Sequence, residues 1–347
     1  MDEIQREVEA LIDRGEPEDP RAVEALLFAI AQAQGMVSQT EDPAWNAATE
    51  LCGLDRIDPV PEAAFKWMTV AHFPPSEAER VFHTSGTTQG TPGRHWIRDM
   101  GLYRRSVLRG FERFVLYPPR PTRFVSLIPD ISERPHSSLA WMVHFVREAF
   151  FERALEVRRA DRLDLDRLLA VLRDCVADAE PVLLMGTTLD FLTLMEGWPE
   201  RTRFALPPGS RVVHTGGVKA SGRVLRYEDL WESLERTFGI PREDVVEEYG
   251  MTELLSQAYD APRVTRGARR LVPVPWMRVR VLDPVTFQDV RPGARGLLCH
   301  YDLANLWTAV AILTQDLAER VEDGFARVER APGATPRGCS HDAAIET

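Results

Sequence analysis

RVVHTGGVKASGRVLRYEDLWESLERTFGIPREDVVEEYG, residues 211–250, decides how the rest of the chain is read. RVVHT and DVVEEY are short, rich in valine and closed by glycine, as strands buried in a sheet are. Between them, VLRYEDLWESLERTFG spaces its apolar residues three and four apart, which gives a helix one buried face. Strand, helix, strand is a βαβ unit, the crossover that a parallel strand pair requires.

The same rhythm runs upstream. TRFVSLIP, SLAWMVHFVREAFF, ALEVRR, LDRLLAVLRDCVAD and PVLLMG alternate the two patterns over residues 122–186. The expectation is an α/β fold built on a mainly parallel sheet, with its loops at the carboxyl ends of strands, where such sheets bind ligands. Residues 1–60 read as a helical lead-in, since EIQREVEALI and RAVEALLFAIAQAQ carry helical spacing and prolines at 59 and 61 close the region. From Val272 the chain turns to short strands (VPWMRVRVLDP, RGLLCHYDL, FARVER), a terminal β-rich subregion.

Composition excludes several classes. A chain of 347 residues, 44% of them hydrophobic, can bury a large core. Its formal charge of -11, with no basic stripe, argues against a nucleic-acid partner. MDEIQREVEALIDRG has no apolar signal region, and the longest apolar run, at 304–313, is too short for a bilayer. A cytoplasmic protein without an integral membrane segment is expected. The four cysteines, Cys52, Cys175, Cys299 and Cys339, form no CxxC pair and no clustered His spacing, which argues against a disulfide framework and a zinc site; the first three lie in apolar contexts and read as core residues. Of 42 lysines and arginines only Lys66 and Lys219 are lysine, so a lysine kept two residues after Gly217 points to a need for a compact ammonium.

Four stretches carry candidate chemistry. TSGTTQG, residues 84–90, precedes Pro92, Gly93, Arg94 and His95; backbone amides around its glycines and hydroxyls beside them suit phosphate oxygens. HTGGVK follows at 214–219, EEYGMTE at 247–253 as an aromatic and acidic loop, and LTQDL at 313–317 as an isolated acid at a strand end. Glu247 and Glu248 read as a solvated patch at a strand end. Each stretch alone is also an ordinary turn or cap. No GxxxxGK[ST] occurs, so this is no simple P-loop nucleotidase.

In this order the four stretches resemble the adenylate-forming enzyme superfamily, whose members use ATP to convert a carboxylic acid into an acyl-AMP. The resemblance implies that Thr84, Ser85, Gly86, Thr87 and Thr88 contact the phosphates, that Tyr249 flanks adenine, that Thr252 touches the α-phosphate and that Glu253 holds magnesium. Asp316 would bind the ribose, and Arg330, in the VER segment, would stand at the hinge. Gly216, Gly217 and Gly250 join the nucleotide-binding set, and Lys219 would offset the charge of the reacting anions. ATP and Mg2+ are the implied cofactors.

A closer set narrows the family. FKW at 65–67, HTSGTTQGTPGRH, PHSSLAWM at 135–142, HTGGVK, EEYGMTELLSQAYD and the terminal PRGCS look like the acyl-protein synthetases of the LuxE type, over residues from about 61 to the end. This resemblance implies an adenylate-forming large domain over 61–330, no C-terminal small domain, and a flexible tail over 331–347 carrying the acyl-acceptor Cys339. His136 would lie near the acyl carboxylate. The acid would be a fatty acid, and the acyl group would pass to an acyl reductase or carrier protein. Two alternatives stand beside it: an acyl or aryl coenzyme A ligase, and a non-catalytic adenylate-binding protein. The chain departs from the wider superfamily at Arg94, where a lysine follows proline, and at Glu329, where the hinge has glycine.

Overall fold

The computed structural model describes residues 1–37, 53–84, 92–159, 162–216, 226–334 and 344–346. The chain forms two compact units, one of Met1–Gly110, Met251–Gln257 and Val272–Ala334, the other of Phe111–Gly250, Ala258–Leu271 and Thr335–Thr347.

The first unit holds the β-rich subregion. Its sheet runs Val60–Pro61, Ala311–Val321, Arg295–Asp302, Met277–Leu282, and Gly324–Arg330 also pairs with Ala311–Val321. Only Val60–Pro61 is parallel to its neighbour. The helices of the expected lead-in, Asp2–Arg14 and Pro20–Ala33, belong to this unit. Their limits follow from sequence: Gly15 closes the first in the left-handed conformation, and Asp19 accepts a bond from Arg21 N while Pro20 occupies the first turn of the second. Gln34, just past the second helix, donates to Leu306 O (2.9 Å) and accepts from Val310 N (2.9 Å), tying the helices to the segment before the long strand.

The second unit is the parallel sheet. Its strands run Ala258–Asp260, Val245–Tyr249, Arg211–Thr215, Val182–Thr187, Arg123–Ser126, Arg153–Glu156. All are parallel except Ala258–Asp260, which returns antiparallel to Val245–Tyr249. Val182–Thr187 and Arg211–Thr215 are buried at every residue, as expected of central strands covered on both faces. Helices Leu165–Ala177, Thr188–Glu196 and Tyr227–Phe238 supply Leu169, Leu172, Phe191, Leu230, Leu234 and Phe238 to the core that covers Val212 and Val245.

Three local readings are corrected. Residues 247–249 are strand, not loop; the loop begins at Gly250. Glu247 and Glu248 are buried rather than solvated, because alternation sends them to opposite faces of a sheet that is covered on both. Asp316 sits in the middle of the strand Ala311–Val321, not at a strand end, because pairing with Gly324–Arg330 extends that strand past it. Near the carboxyl end, Ala344–Glu346 is a strand parallel to Arg162–Asp164.

Candidate functional site

The TSGTT stretch joins the two strands of an antiparallel hairpin, Arg80–His83 and Arg94–Ile97. Its neck is closed by Thr84 N donating to Gly93 O (2.9 Å) and by Gly93 N donating to Thr84 Oγ1 (2.8 Å). A Cβ at Gly93 would come within 3.1 Å of the Thr84 side chain and 3.4 Å of Lys66 Cγ, so glycine is what lets the neck close against Lys66. Ser85, Gly86, Thr87 and Thr88 lie outside the described residues.

Two residues beyond Gly93 the hairpin reaches into the YGMTE stretch. The His95 ring is fully buried, with Nδ1 2.8 Å from Thr252 O and Nε2 3.0 Å from Thr308 Oγ1. A carbonyl only accepts, so Nδ1 carries the proton and Nε2 accepts from Thr308. Burial pushes the imidazole down to about 4, so it stays neutral. His95→Phe keeps the edge contact with Phe65 (5.4 Å between centroids) but deletes both bonds. It is expected to cost about 2 kcal/mol, from one buried carbonyl and one hydroxyl left unmatched; a urea midpoint at unchanged slope measures it.

The segment 251–257 is held along its backbone. Asn305 Nδ2 donates to Glu253 O (2.8 Å), Leu255 N donates to Asp302 Oδ2 (3.0 Å) and Asn305 Oδ1 (3.1 Å), and Ser256 Oγ donates to Asp302 Oδ1 (2.6 Å). Burial pushes Asp302 up to about 6 despite these donors. Thr252 is half-buried and Glu253 buried. Asp302, Asn305 and His95 were not read as site residues from sequence; DLANLWT shows only an apolar run with cap-like polar residues.

Also in the first unit, Arg330 binds Asp316 Oδ1 (Nη1, 3.0 Å) and Glu62 (Nη2 to Oε1, 2.7 Å; Nη1 to Oε2, 3.4 Å). Asp316, expected at the ribose, and Arg330, expected at the hinge, are therefore in contact.

The second unit carries Tyr249, Gly250, Gly216 and His136. Tyr249 ends its strand half-buried. Gly216, after the neighbouring parallel strand, has φ +76°, which glycine adopts without strain. Its carbonyl accepts from Thr188 Oγ1 (2.5 Å), and Thr188 Oγ1 lies 3.0 Å from His214 Nδ1. One residue before Gly216, Thr215 Oγ1 donates to Glu248 Oε2. Burial pushes Glu248 up to about 7, and Glu247 adds to the shift. Glu247 itself is matched by Arg269, whose Nε donates at 2.9 Å. His136 is exposed on the turn before the N-cap Ser137.

Gly217, Lys219, Cys52 and Cys339 lie outside the described residues. Cys175 and Cys299 are fully buried, and burial pushes their thiols to about 11 and about 12, which makes them inert core residues. Among the described residues no group of three His, Cys, Asp or Glu side chains could hold a metal, and no helix is long and apolar enough to cross a membrane.

Solved structures place this architecture. ATP-bound MatB from Rhodopseudomonas palustris matches 83% of this chain and 52% of its own at 17% identity, with a TM-score of 0.53. A 2-hydroxyisobutyryl-CoA ligase in complex with 2-HIB-AMP matches 92% of this chain and 68% of its own at 17% identity, TM-score 0.59. O-succinylbenzoate coenzyme A synthetase from Bacillus subtilis, in complex with ATP and magnesium ion, matches 72% and 49% at 18% identity, TM-score 0.50. The chain thus spans about half the length of the first of these. The fold is that of the adenylate-forming enzymes. A model of one family, "Acyl-protein synthetase, LuxE", matches residues 51–341. The chain belongs to the LuxE acyl-protein synthetase family. A comparison with curated proteins finds no match.

Proposed function

We propose that the protein activates a carboxylic acid, of the fatty-acid class, with ATP and transfers the acyl group to its own Cys339. The observation that carries this reading is that the family match runs to residue 341, through both the YGMTE stretch and Cys339. In the first step a carboxylate oxygen attacks the α-phosphorus, the bond to the bridging oxygen breaks, and pyrophosphate leaves. In the second the Cys339 thiolate attacks the acyl carbon, AMP leaves with the carbon–oxygen bonding pair, and the thiol proton goes to solvent. A thioester on a tail residue can then be presented to an acyl reductase or carrier protein.

The chain's own part is to hold two anions together and offset their charge. Thr84 and the stretch to Thr88 take the phosphates, Thr252 the α-phosphate, Asp316 the ribose and Tyr249 the adenine, with Gly216, Gly217 and Gly250 admitting close approach of backbone. Lys219 would neutralise the transferring phosphoryl group, and His136 would stand near the acyl carboxylate. Glu253 is the carboxylate that would hold magnesium, an ion that lowers the charge of the triphosphate. A single carboxylate suits magnesium, which keeps most of its waters and arrives with phosphate oxygens.

Intact-protein mass spectrometry after incubation with ATP, magnesium and a panel of carboxylic acids tests the reading. The expected result is an acyl-sized gain, removed by hydroxylamine, that maps to Cys339 and is lost in Cys339→Ala while pyrophosphate release persists. Equal labelling of C339A would sink the tail mechanism. Pyrophosphate release with no label, but with acyl-CoA formed when coenzyme A is added, would favour the coenzyme A ligase.

A further inference from the structure

FKW, residues 65–67, forms most of the short helix Ala64–Trp67, which packs on the strand Arg94–Ile97 of the TSGTT hairpin. Phe65 is buried and meets the His95 ring edge-on, whereas Trp67 is 82% exposed. Lys66 lies between them, half-buried at the rim. A Cβ at Gly93 would meet Lys66 Cγ at 3.4 Å and the Thr84 side chain at 3.1 Å. The lysine stem is therefore laid against the Thr84–Gly93 neck, and its ammonium, three bonds past Cγ, lies no more than about 4 Å beyond that atom.

The two faces of the hairpin decide which cation the neck receives. Successive residues of a strand point to opposite sides, so Gly93 and His95 face the helix and Arg94 and Trp96 face away from it. The Arg94 guanidinium is exposed and lies over the Trp96 ring, 5.7 Å from its centroid. That leaves the neck to Lys66, which has no ion pair among the described residues. It is also one of only two lysines among 42 lysines and arginines. An ammonium concentrates its charge on one atom whose three donors turn freely, which suits phosphate oxygens converging from several directions; a guanidinium needs a planar partner. Thr252, assigned to the α-phosphate, is bonded to His95, two residues and about 7 Å along the strand from Gly93. We propose that Lys66 binds the phosphates beyond α, the β- and γ-phosphates of the nucleoside triphosphate, at the neck of the TSGTT hairpin. This rests on the assignment of that hairpin to ATP.

The experiment is equilibrium calorimetry of the full chain with Mg-ATP and with AMP, for wild type, Lys66→Met and Lys66→Arg. No acid substrate is needed. Methionine keeps an unbranched stem against Gly93 and removes only the charge. K66M should weaken Mg-ATP by about ten- to a hundredfold, the loss of a charge-assisted hydrogen bond or two, and leave AMP within about twofold. K66R keeps the charge on a planar fork and should recover only part of the loss. Should K66M not fold, Lys66→Gln gives the same readout. A Lys66 that merely covers the hairpin with its stem would leave Mg-ATP unchanged in K66M, and general structural damage would weaken AMP as much as ATP. Either result, with wild type still binding Mg-ATP, overturns the inference and spares the assignment of the hairpin to ATP. Wild type that binds neither nucleotide overturns both.

Discussion

Asp302→Ala is expected to destabilise the first unit by about 4 kcal/mol and to remove measurable ATP binding. The carboxylate is fully buried and accepts from Leu255 N, Ser256 Oγ and Ala304 N (2.9 Å). Alanine strands these three donors in a buried site, and each stranded donor costs on the order of 1–3 kcal/mol. Asn305 Oδ1 shares the Leu255 donor, which keeps the sum below its maximum. The damage spreads, because Ser256 Oγ also receives Trp276 Nε1 (3.0 Å) and lies 2.9 Å from Ser106 Oγ. Thr252 and Glu253 stand on the same segment, so the loss of its anchor displaces the groups assigned to phosphate and magnesium. Asp302→Asn retains one acceptor oxygen but turns an amide toward a donor, and should fall about midway. Urea midpoints at constant slope, with ATP calorimetry below the transition, measure both effects. A cost under about 1 kcal/mol would mean that water replaces the carboxylate.

What the sequence showed and what it hid follow from the range of the interactions. The strands of the parallel sheet and the helix Tyr227–Phe238 were legible because the strands are short apolar runs closed by turn residues and the helix repeats its apolar residues three and four apart, both within reach of a local reading. The Asp302–Leu255 and Asn305–Glu253 bonds join residues 47 and 52 positions apart, and Glu62 meets Arg330 across 268. No spacing rule covers such pairs. His95 was visible as a base after the glycine-bearing loop, but its partner at Thr252 was not. Glu247 and Glu248 misled for a different reason: two adjacent carboxylates look solvated until it is known that Arg269 waits on one face and Thr215 on the other. The assignments at Ser85–Thr88, Lys219 and Cys339 came from motif resemblance, and they fall outside the described residues.

Glu248→Gln should make the protein more stable by about 3 kcal/mol at pH 8.5, a difference that shrinks to about 1 kcal/mol at pH 5. The folded carboxyl holds its proton up to about pH 7, whereas an unfolded glutamate loses it near 4.5. Between these values the unfolded state binds fewer protons than the folded one, so stability falls as pH rises, by about 1.4 kcal/mol per unit, and the loss is complete above 7. Glutamine has the shape of the protonated acid, can still accept from Thr215, and has no proton to lose. The buried histidines act in the opposite direction. His95 and His214 are lowered to about 4 and about 3, so wild type and variant alike lose stability as pH drops below 6.5. Wild type should therefore show a stability maximum on the acid side of neutrality, and Glu248→Gln should show a steeper acid limb, freed of the opposing Glu248 loss above about 4.5, together with a raised alkaline limb. Urea midpoints at half-unit pH steps from 5 to 8.5 separate the two limbs. A variant that differs from wild type by a constant amount at every pH would mean that Glu248 is ionised throughout, with Thr215 and the strand end outweighing its burial.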